Sequence, residues 1–124
     1  MGKFTGVLLA SDFDNTLIHT EPALRSGEAI PSLSERNKAA LEYFMAEGGQ
    51  FTIATGRALA AFMRYAGEVP MNTPAIVCNG AALYDFSQED YLEIAMLEGE
   101  IRNGVRPFWT GFPAWRWRPI TSRM

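Results

Sequence analysis

Two carboxylates stand close together near the start of the chain, in the stretch Asp12-Phe13-Asp14-Asn15-Thr16. A carboxylate at the end of a strand can attack phosphorus and form an aspartyl-phosphate. A second carboxylate two residues later can lie on the same side and act as general acid and base. Such a pair also attracts a hard cation such as Mg²⁺, which takes oxygen ligands. The alternative is a loop whose acidic side chains cap turns or the next helix.

Two more polar sequences could contribute to the same chemistry. In Thr55-Gly56-Arg57, the threonine hydroxyl can donate to a phosphate oxygen, and the glycine lets the backbone approach closely. The N-terminus of a following helix would favour an anion there. The alternative is an ordinary turn from strand to helix with Thr55 as its cap. Asn79-Gly80-Ala81, taken alone, is a plain turn signal.

Three short apolar runs precede these polar sequences and predict buried strands over 4–11, 51–54 and 75–78. Strands that alternate with helices predict a parallel, doubly wound α/β sheet. Ligands bind such sheets beyond the carboxyl ends of the strands. We therefore expect the three polar sequences to meet at one edge of the sheet.

Helical spacing and capping residues predict the connecting elements. Ser34 is a suitable N-cap for a helix that starts at Glu35, and Thr55-Gly56-Arg57 leads into a second helix near 58–66. Pro22, Gly27 and Pro31 predict a loop over 18–33. The segments 83–84 and 91–96 predict a hairpin.

Together, the motifs resemble those of the haloacid dehalogenase-like (HAD) hydrolase superfamily, in particular its Cof-type phosphatases. Asp12-Phe-Asp14-Asn-Thr16-Leu17 resembles the first family motif, D-x-D-x-T-L. Thr55-Gly-Arg57 resembles the second motif, and Asn79-Gly-Ala81 resembles the N-G-A that precedes the cap domain in Cof-type members. The resemblance covers about residues 3–98.

The resemblance implies roles for these residues. Asp12 would be the nucleophile and Asp14 the acid and base, while the Asp12 side chain and the Asp14 backbone carbonyl would bind Mg²⁺. Thr55 would hold the transferring phosphoryl group, Asn79 would line the site near the cap, and Arg57 would face substrate or cap. The complete set expected to contact phosphate or substrate is Thr16, Thr55, Gly56, Arg57 and Asn79.

The resemblance also implies motifs that this sequence does not contain. A lysine and an acidic G-D-x-x-x-D follow the cap in the family, whereas the only lysines here are Lys3 and Lys38. We therefore expect an incomplete, parallel, doubly wound (Rossmann-like) HAD core without the cap domain and the C-terminal half of the core. Residues 1–98 would form the N-terminal part of that core, including the start of the lead-in to the cap. Residues 99–124 would form an atypical tail.

Charge is divided sharply between these two parts. Residues 1–100 hold six basic and all 14 acidic side chains, a net charge of −8, whereas residues 101–124 hold five arginines, all three tryptophans and no acid. The tail is consistent with an altered end such as a frame-shifted translation, with an end that packs its aromatic side chains on the sheet, or with an arm that binds nucleic acid or membrane. Three prolines in the tail argue against an amphipathic helix.

Composition excludes several classes of protein. A hydrophobic fraction of 48% with 20% charged residues indicates a globular domain, and one cysteine excludes a disulfide framework. No apolar run approaches the roughly 20 residues of a membrane helix. We therefore expect a cytoplasmic protein without nucleic-acid or membrane partners. A half-sheet would expose an edge, so self-association is possible.

Three functional hypotheses follow. The first is a Mg²⁺-dependent phosphatase that acts on small phosphorylated metabolites through an aspartyl-phosphate. The second is an inactive HAD fragment that keeps some phosphate or Mg²⁺ binding, since the missing lysine and acidic motif would remove electrostatic stabilisation. The third is an interaction module that uses the basic tail.

Overall fold

A computed structural model describes residues 1–101 and residue 104, so nearly all of the tail that begins at residue 99 lies outside the described residues. Three helices and five strands precede it. The strands are β1 (Leu8–Ser11), β2 (Gln50–Ile53), β3 (Ala75–Val77), β4 (Ala82–Asp85) and β5 (Asp90–Ile94); the helices are α1 (Thr20–Ser26), α2 (Glu35–Ala46) and α3 (Leu59–Ala66). A short 3₁₀ turn, Cys78–Gly80, separates β3 from β4.

The strands follow one another across the fold in chain order. β1 and β2 are parallel, with Ser11 opposite Ile53. A parallel bridge between Ala54 and Ile76 connects β2 to β3. β3 pairs with β4, and β4 with β5, in antiparallel fashion. The structure thus confirms the predicted parallel arrangement of the first three strands and the predicted hairpin.

Helices α2 and α3 begin where the sequence predicts. The Ser34 hydroxyl accepts a hydrogen bond from the Asn37 amide at 3.2 Å, which satisfies one of the free N–H groups at the start of α2. The chain leaves α2 through Gly48, whose φ of 89° suits a residue without a Cβ. Helix α3 starts at Leu59, two residues after Arg57, and buries Phe62. No helix in the described part of the chain has the length and apolar character that crossing a membrane requires.

Helix α1 lies within the segment predicted to be a loop, and that prediction is wrong over 20–26. Pro22 falls in the first turn of the helix, where its missing N–H costs no helical hydrogen bond. Gly27 ends the helix with a left-handed φ of 72°. Asn15 Oδ1 accepts a hydrogen bond from the Glu21 amide at 2.8 Å, so the first motif caps α1. The proline and glycine mark the ends of a helix and not a loop.

The core lies between the helices and β2. It contains four large side chains that are almost fully buried, together with smaller neighbours: Phe13, Phe51, Ile53, Phe62, Ile18, Leu33, Leu41 and Val69. A smaller cluster, Ala75, Val77 and Ala82, lies between β3 and β4. Phe13 is the residue between the two carboxylates of the first motif, so the core anchors that motif directly.

Strand β1 differs from the prediction in both length and burial. The extended segment is limited to Leu8–Ser11, and Leu8 and Leu9 are 61% and 44% exposed. The preceding residues form turns instead, in which the Val7 amide donates to the Phe4 carbonyl at 3.0 Å. The Phe4 ring packs on Phe44 with ring centroids 4.8 Å apart. An apolar parallel strand is buried only when elements cover it, and within the described residues β1 pairs with β2 alone.

The depth of Phe51 in the core gives a stability prediction. Phe51→Ala removes a side chain that is 0% exposed and should lower the free energy of unfolding by about 3–5 kcal/mol. Leu24→Ala is the matched control, since Leu24 is 69% exposed on α1 and should change stability by less than about 0.5 kcal/mol. Urea denaturation followed by circular dichroism measures both. If both variants lost the same free energy of unfolding, the burial of Phe51 in the core would be contradicted.

Candidate functional site

The three polar sequences meet at the carboxyl ends of the strands, as predicted. Asp12 follows β1, Thr55 follows β2, and Asn79 lies in the turn after β3. All three line one open cavity of about 320 Å³, together with Ala54, Gly56, Ile76 and Gly80. Asp12 is exposed, and Thr55 is buried. The cavity therefore joins a carboxylate, a hydroxyl and an amide that are far apart in sequence.

Backbone hydrogen bonds fix the three strand ends relative to one another. The Ala54 amide donates to the Ser11 carbonyl at 2.8 Å, which connects the ends of β1 and β2. The Thr55 amide donates to the Ile76 carbonyl at 2.9 Å, and the Asn79 amide donates to the Thr55 carbonyl at 3.1 Å. These bonds hold the second and third polar sequences as one unit.

The turn after β3 has an unusual backbone. Cys78, Asn79 and Gly80 have consecutive positive φ values of 54°, 54° and 90°. The turn brings the Asn79 side chain against Gly56, where a Cβ would lie 2.7 Å from Asn79 Oδ1. Gly56 therefore gives room to the Asn79 amide, a role that the sequence alone does not reveal.

Thr55 presents its hydroxyl in a defined orientation. Its Oγ1 accepts a hydrogen bond from the Arg57 amide at 3.1 Å. A hydroxyl that accepts one bond still has its own proton to donate. Since Thr55 lines the cavity, that proton is suitable for an oxyanion placed there.

Asp12 and Thr16 contact each other within the first motif. The Thr16 hydroxyl donates to Asp12 Oδ2 at 3.1 Å. This bond orients the Asp12 carboxylate and places Thr16 one contact away from the cavity. The prediction that Thr16 itself contacts phosphate stays a prediction.

Asp14 lies in a different environment from Asp12. Arg57 Nε donates to Asp14 Oδ2 at 2.7 Å, and Arg57 Nη2 donates to Oδ1 at 2.6 Å, so the guanidinium holds both carboxylate oxygens. The Thr20 hydroxyl adds a third bond, to Oδ1, at 2.6 Å. The Arg57 hydrogen bonds lower the pKa of Asp14 against the opposing effect of burial, and the Thr20 bond lowers it further. This arrangement favours the ionised carboxylate, the form that accepts a proton.

Arg57 is itself held by aromatic rings. Its guanidinium carbon lies 5.7 Å from the Phe13 ring centroid and 5.0 Å from that of Tyr65. Both distances suit a cation–π contact. The Asp14 hydrogen bond raises the pKa of Arg57 from its already high value. The sequence patterns did not predict roles for Thr20 and Tyr65. For Thr20, the available signal was Glu21-Pro22, which is typical of the first turn of a helix.

The cavity offers one carboxylate, that of Asp12, as a ligand for a Mg²⁺ ion. Mg²⁺ is commonly bound by one or two carboxylates plus substrate phosphate, while it keeps several waters. The Asp12 carboxylate at the cavity satisfies that minimum. The use of the Asp14 backbone carbonyl as a second ligand stays a prediction. The Asp14 side chain is taken by Arg57. Within the described residues, no group of three or more His, Cys, Asp or Glu side chains is arranged to hold a metal by itself.

Comparison with known proteins decides the family. The sequence model of the haloacid dehalogenase-like hydrolases matches residues 9–102, which include all three polar sequences. The chain belongs to this family. The family prediction from the motifs is confirmed, and the HAD-like α/β core explains why the strand ends carry the polar residues.

Individual relatives agree with this assignment. The pyridoxal phosphate phosphatase YbhA of Escherichia coli K12 is 35% identical over 86 residues, which are 69% of this chain and 28% of that protein. A HAD-like hydrolase of B. subtilis superposes with a TM-score of 0.66 at 21% identity, over 84% of this chain and 33% of its own. A HAD phosphatase of Bacteroides thetaiotaomicron, BT1666, superposes with a TM-score of 0.62 at 25% identity. The match covers 85% of this chain and 36% of the BT1666 chain. The chain thus spans about a third of the length of these relatives.

The ion pair between Asp14 and Arg57 predicts how the stability of the fold depends on pH. Because the folded pKa of Asp14 lies below its ordinary value of 3.8, the pair stabilises the fold above that pH and loses its contribution as the pH falls through the lowered pKa. Asp14→Asn should therefore cost about 1–3 kcal/mol at pH 7, and this cost should shrink as the pH falls below 3.8 through the lowered pKa of Asp14. Glu42→Gln, on the exposed side of α2, is the control. Urea titrations at several pH values measure the free energy of unfolding of both variants and of the wild-type protein. If Asp14→Asn lowered that free energy by the same amount at every pH, the pairing would be contradicted.

Proposed function

We propose that this chain carries the phosphate-transfer site of a Mg²⁺-dependent phosphatase that acts on small phosphorylated metabolites in the cytoplasm. The observation that carries the proposal is that Asp12, Thr55 and Asn79 line the same cavity. The family match and the phosphatase relatives support the same reaction class.

In the first step, a carboxylate oxygen of Asp12 attacks the phosphorus of the ester. The new O–P bond forms as the bond from phosphorus to the alcohol oxygen breaks, and the released alcohol oxygen takes up the proton of Asp14, which acts as the general acid in this step. The hydrogen bond from Thr16 orients the attacking carboxylate. The Thr55 hydroxyl donates to a phosphoryl oxygen, where negative charge is concentrated.

In the second step, water hydrolyses the aspartyl-phosphate. Asp14, ionised beside Arg57, accepts a proton from the attacking water, and the products are inorganic phosphate and the free Asp12 carboxylate. Mg²⁺ bound at Asp12 and the Asp14 backbone carbonyl would offset the negative charge of the phosphate. The Asn79 amide, which also lines the cavity, would contact the substrate.

A second candidate function is phosphate binding without turnover. The specific observation in its favour is the ion pair, because Arg57 disfavours the protonated Asp14 that a general acid needs. In that case the cavity would hold phosphate while the leaving alcohol received no proton from the protein.

The proposed function predicts Mg²⁺-dependent release of phosphate from p-nitrophenyl phosphate. Asp12→Asn should reduce the rate to background, and Asp14→Asn should reduce it about 10²–10⁴-fold, because a positioned proton-transfer group contributes about that much. Glu42→Gln, whose side chain is exposed on α2, should leave the rate unchanged.

Calorimetric titration with inorganic phosphate distinguishes the two candidates. Turnover that depends on Asp12 supports the phosphatase. Phosphate binding that depends on Thr55, with no turnover, supports the second candidate. If Asp12→Asn retained the wild-type rate, the nucleophile assignment would be wrong.

A further inference from the structure

The Asp14–Arg57 pair has a geometry that fixes a carboxylate in both position and plane. Two parallel bonds, from Nε to Oδ2 and from Nη2 to Oδ1, are formed by the rigid fork of the guanidinium. A lysine ammonium is a point charge on a flexible stem and cannot impose that plane. The carboxylate of Asp14 therefore has one preferred orientation.

The guanidinium is positioned by the core. It lies near the faces of Phe13 and Tyr65, and the Phe13 ring lies 5.2 Å from those of Phe62 and Tyr65, both on α3. Phe13 and Phe62 are 0% exposed. The position of Arg57 thus depends on the packing of α3 against the first motif.

A third contact comes from α1. Thr20, at the first position of this helix, is buried and donates to Asp14 Oδ1. The carboxylate is consequently held from the loop after β2 and from α1 at the same time. Only 30% of the Asp14 side chain and 20% of the Arg57 side chain are exposed.

Arg57 does not line the cavity that Asp12, Thr55 and Asn79 share. Two of its donors, Nε and Nη2, are used on Asp14, and a phosphate that approached them would meet the negative charge of that carboxylate. The family resemblance predicts Arg57 among the residues that face substrate or cap. Its contacts in the structure favour a different role.

We propose that Arg57 is a positioning residue, which holds the Asp14 carboxylate in one orientation with the help of Thr20 and Tyr65, and not a phosphate ligand. The inference rests on the proposed function in one respect, which is that Asp14 transfers a proton during the reaction. The pair itself and the absence of phosphate contact can be measured without turnover.

Arg57→Lys and Arg57→Gln test the inference, with Arg64→Lys and Arg64→Gln as matched controls. Arg64 is exposed and also contacts Tyr65, with its guanidinium carbon 6.0 Å from the ring centroid. Thr55→Val is the positive control for a phosphate ligand. The readouts are the Arg57 Nε–H signal in ¹⁵N NMR, the affinity for inorganic phosphate, and kcat and KM with p-nitrophenyl phosphate.

We expect an Arg57 Nε–H signal that exchanges slowly in the wild-type protein and is lost in Asp14→Asn. Both Arg57 variants should keep phosphate affinity and KM within about twofold, whereas Thr55→Val weakens phosphate binding. The Arg57 variants should lower kcat about 10–100-fold, since misplacement of a reacting group by about 1 Å costs up to 10²-fold. Arg57→Lys should not restore the rate, and the Arg64 variants should behave as wild type.

Weaker phosphate binding in Arg57→Gln, comparable to Thr55→Val, would overturn the inference by making Arg57 a ligand. If the Arg57 Nε–H of the wild-type protein exchanged rapidly, the inference would also be overturned, because Arg57 would not be paired with Asp14. A protected Nε–H signal in a protein that binds no phosphate would instead contradict the proposed function, so the two failures are distinguishable.

Discussion

The backbone hydrogen bonds that hold the carboxyl ends of β1, β2 and β3 side by side determine the rest of the site. Ala54 donates to Ser11, and Thr55 donates to Ile76, so the chain leaves each strand at the same edge. Parallel strands place their carboxyl ends together, which is why residues separated by tens of positions share one cavity. Phe51 and Ile53 are buried and anchor β2, which lies between β1 and β3, in the core. The core thus sets the geometry of the site through the sheet.

The two carboxylates of the first motif differ because the residue between them is buried. Phe13 packs into the core, and the flanking side chains of Asp12 and Asp14 have separate partners as a result. Asp12 lines the cavity with a single hydroxyl donor, Thr16, on one of its oxygens. Asp14 accepts three hydrogen bonds from Arg57 and Thr20. One motif therefore supplies one accessible carboxylate and one oriented, ionised carboxylate, which suit the roles of nucleophile and base that we propose for them.

Sequence patterns predicted the features that local chemistry controls. Ser34 as a helix cap, the strands before each polar sequence and the hairpin are all present. Helix α1 was missed because Pro22 and Gly27 mark helix ends as well as loops. The burial predicted for β1 failed because exposure depends on which elements cover a strand. The Asp14–Arg57 pair joins residues 43 apart, and no local pattern encodes such a contact.

The central claim is that Asp12 is the residue to which phosphate is transferred. The most direct measurement is mass spectrometry of the protein quenched during turnover with p-nitrophenyl phosphate and Mg²⁺. Reduction with borohydride before digestion converts an aspartyl-phosphate to homoserine, which marks the residue. We predict the modification at Asp12 in the wild-type chain and its absence in Asp12→Asn. Turnover without modification of Asp12, or modification of a different residue, would contradict the claim.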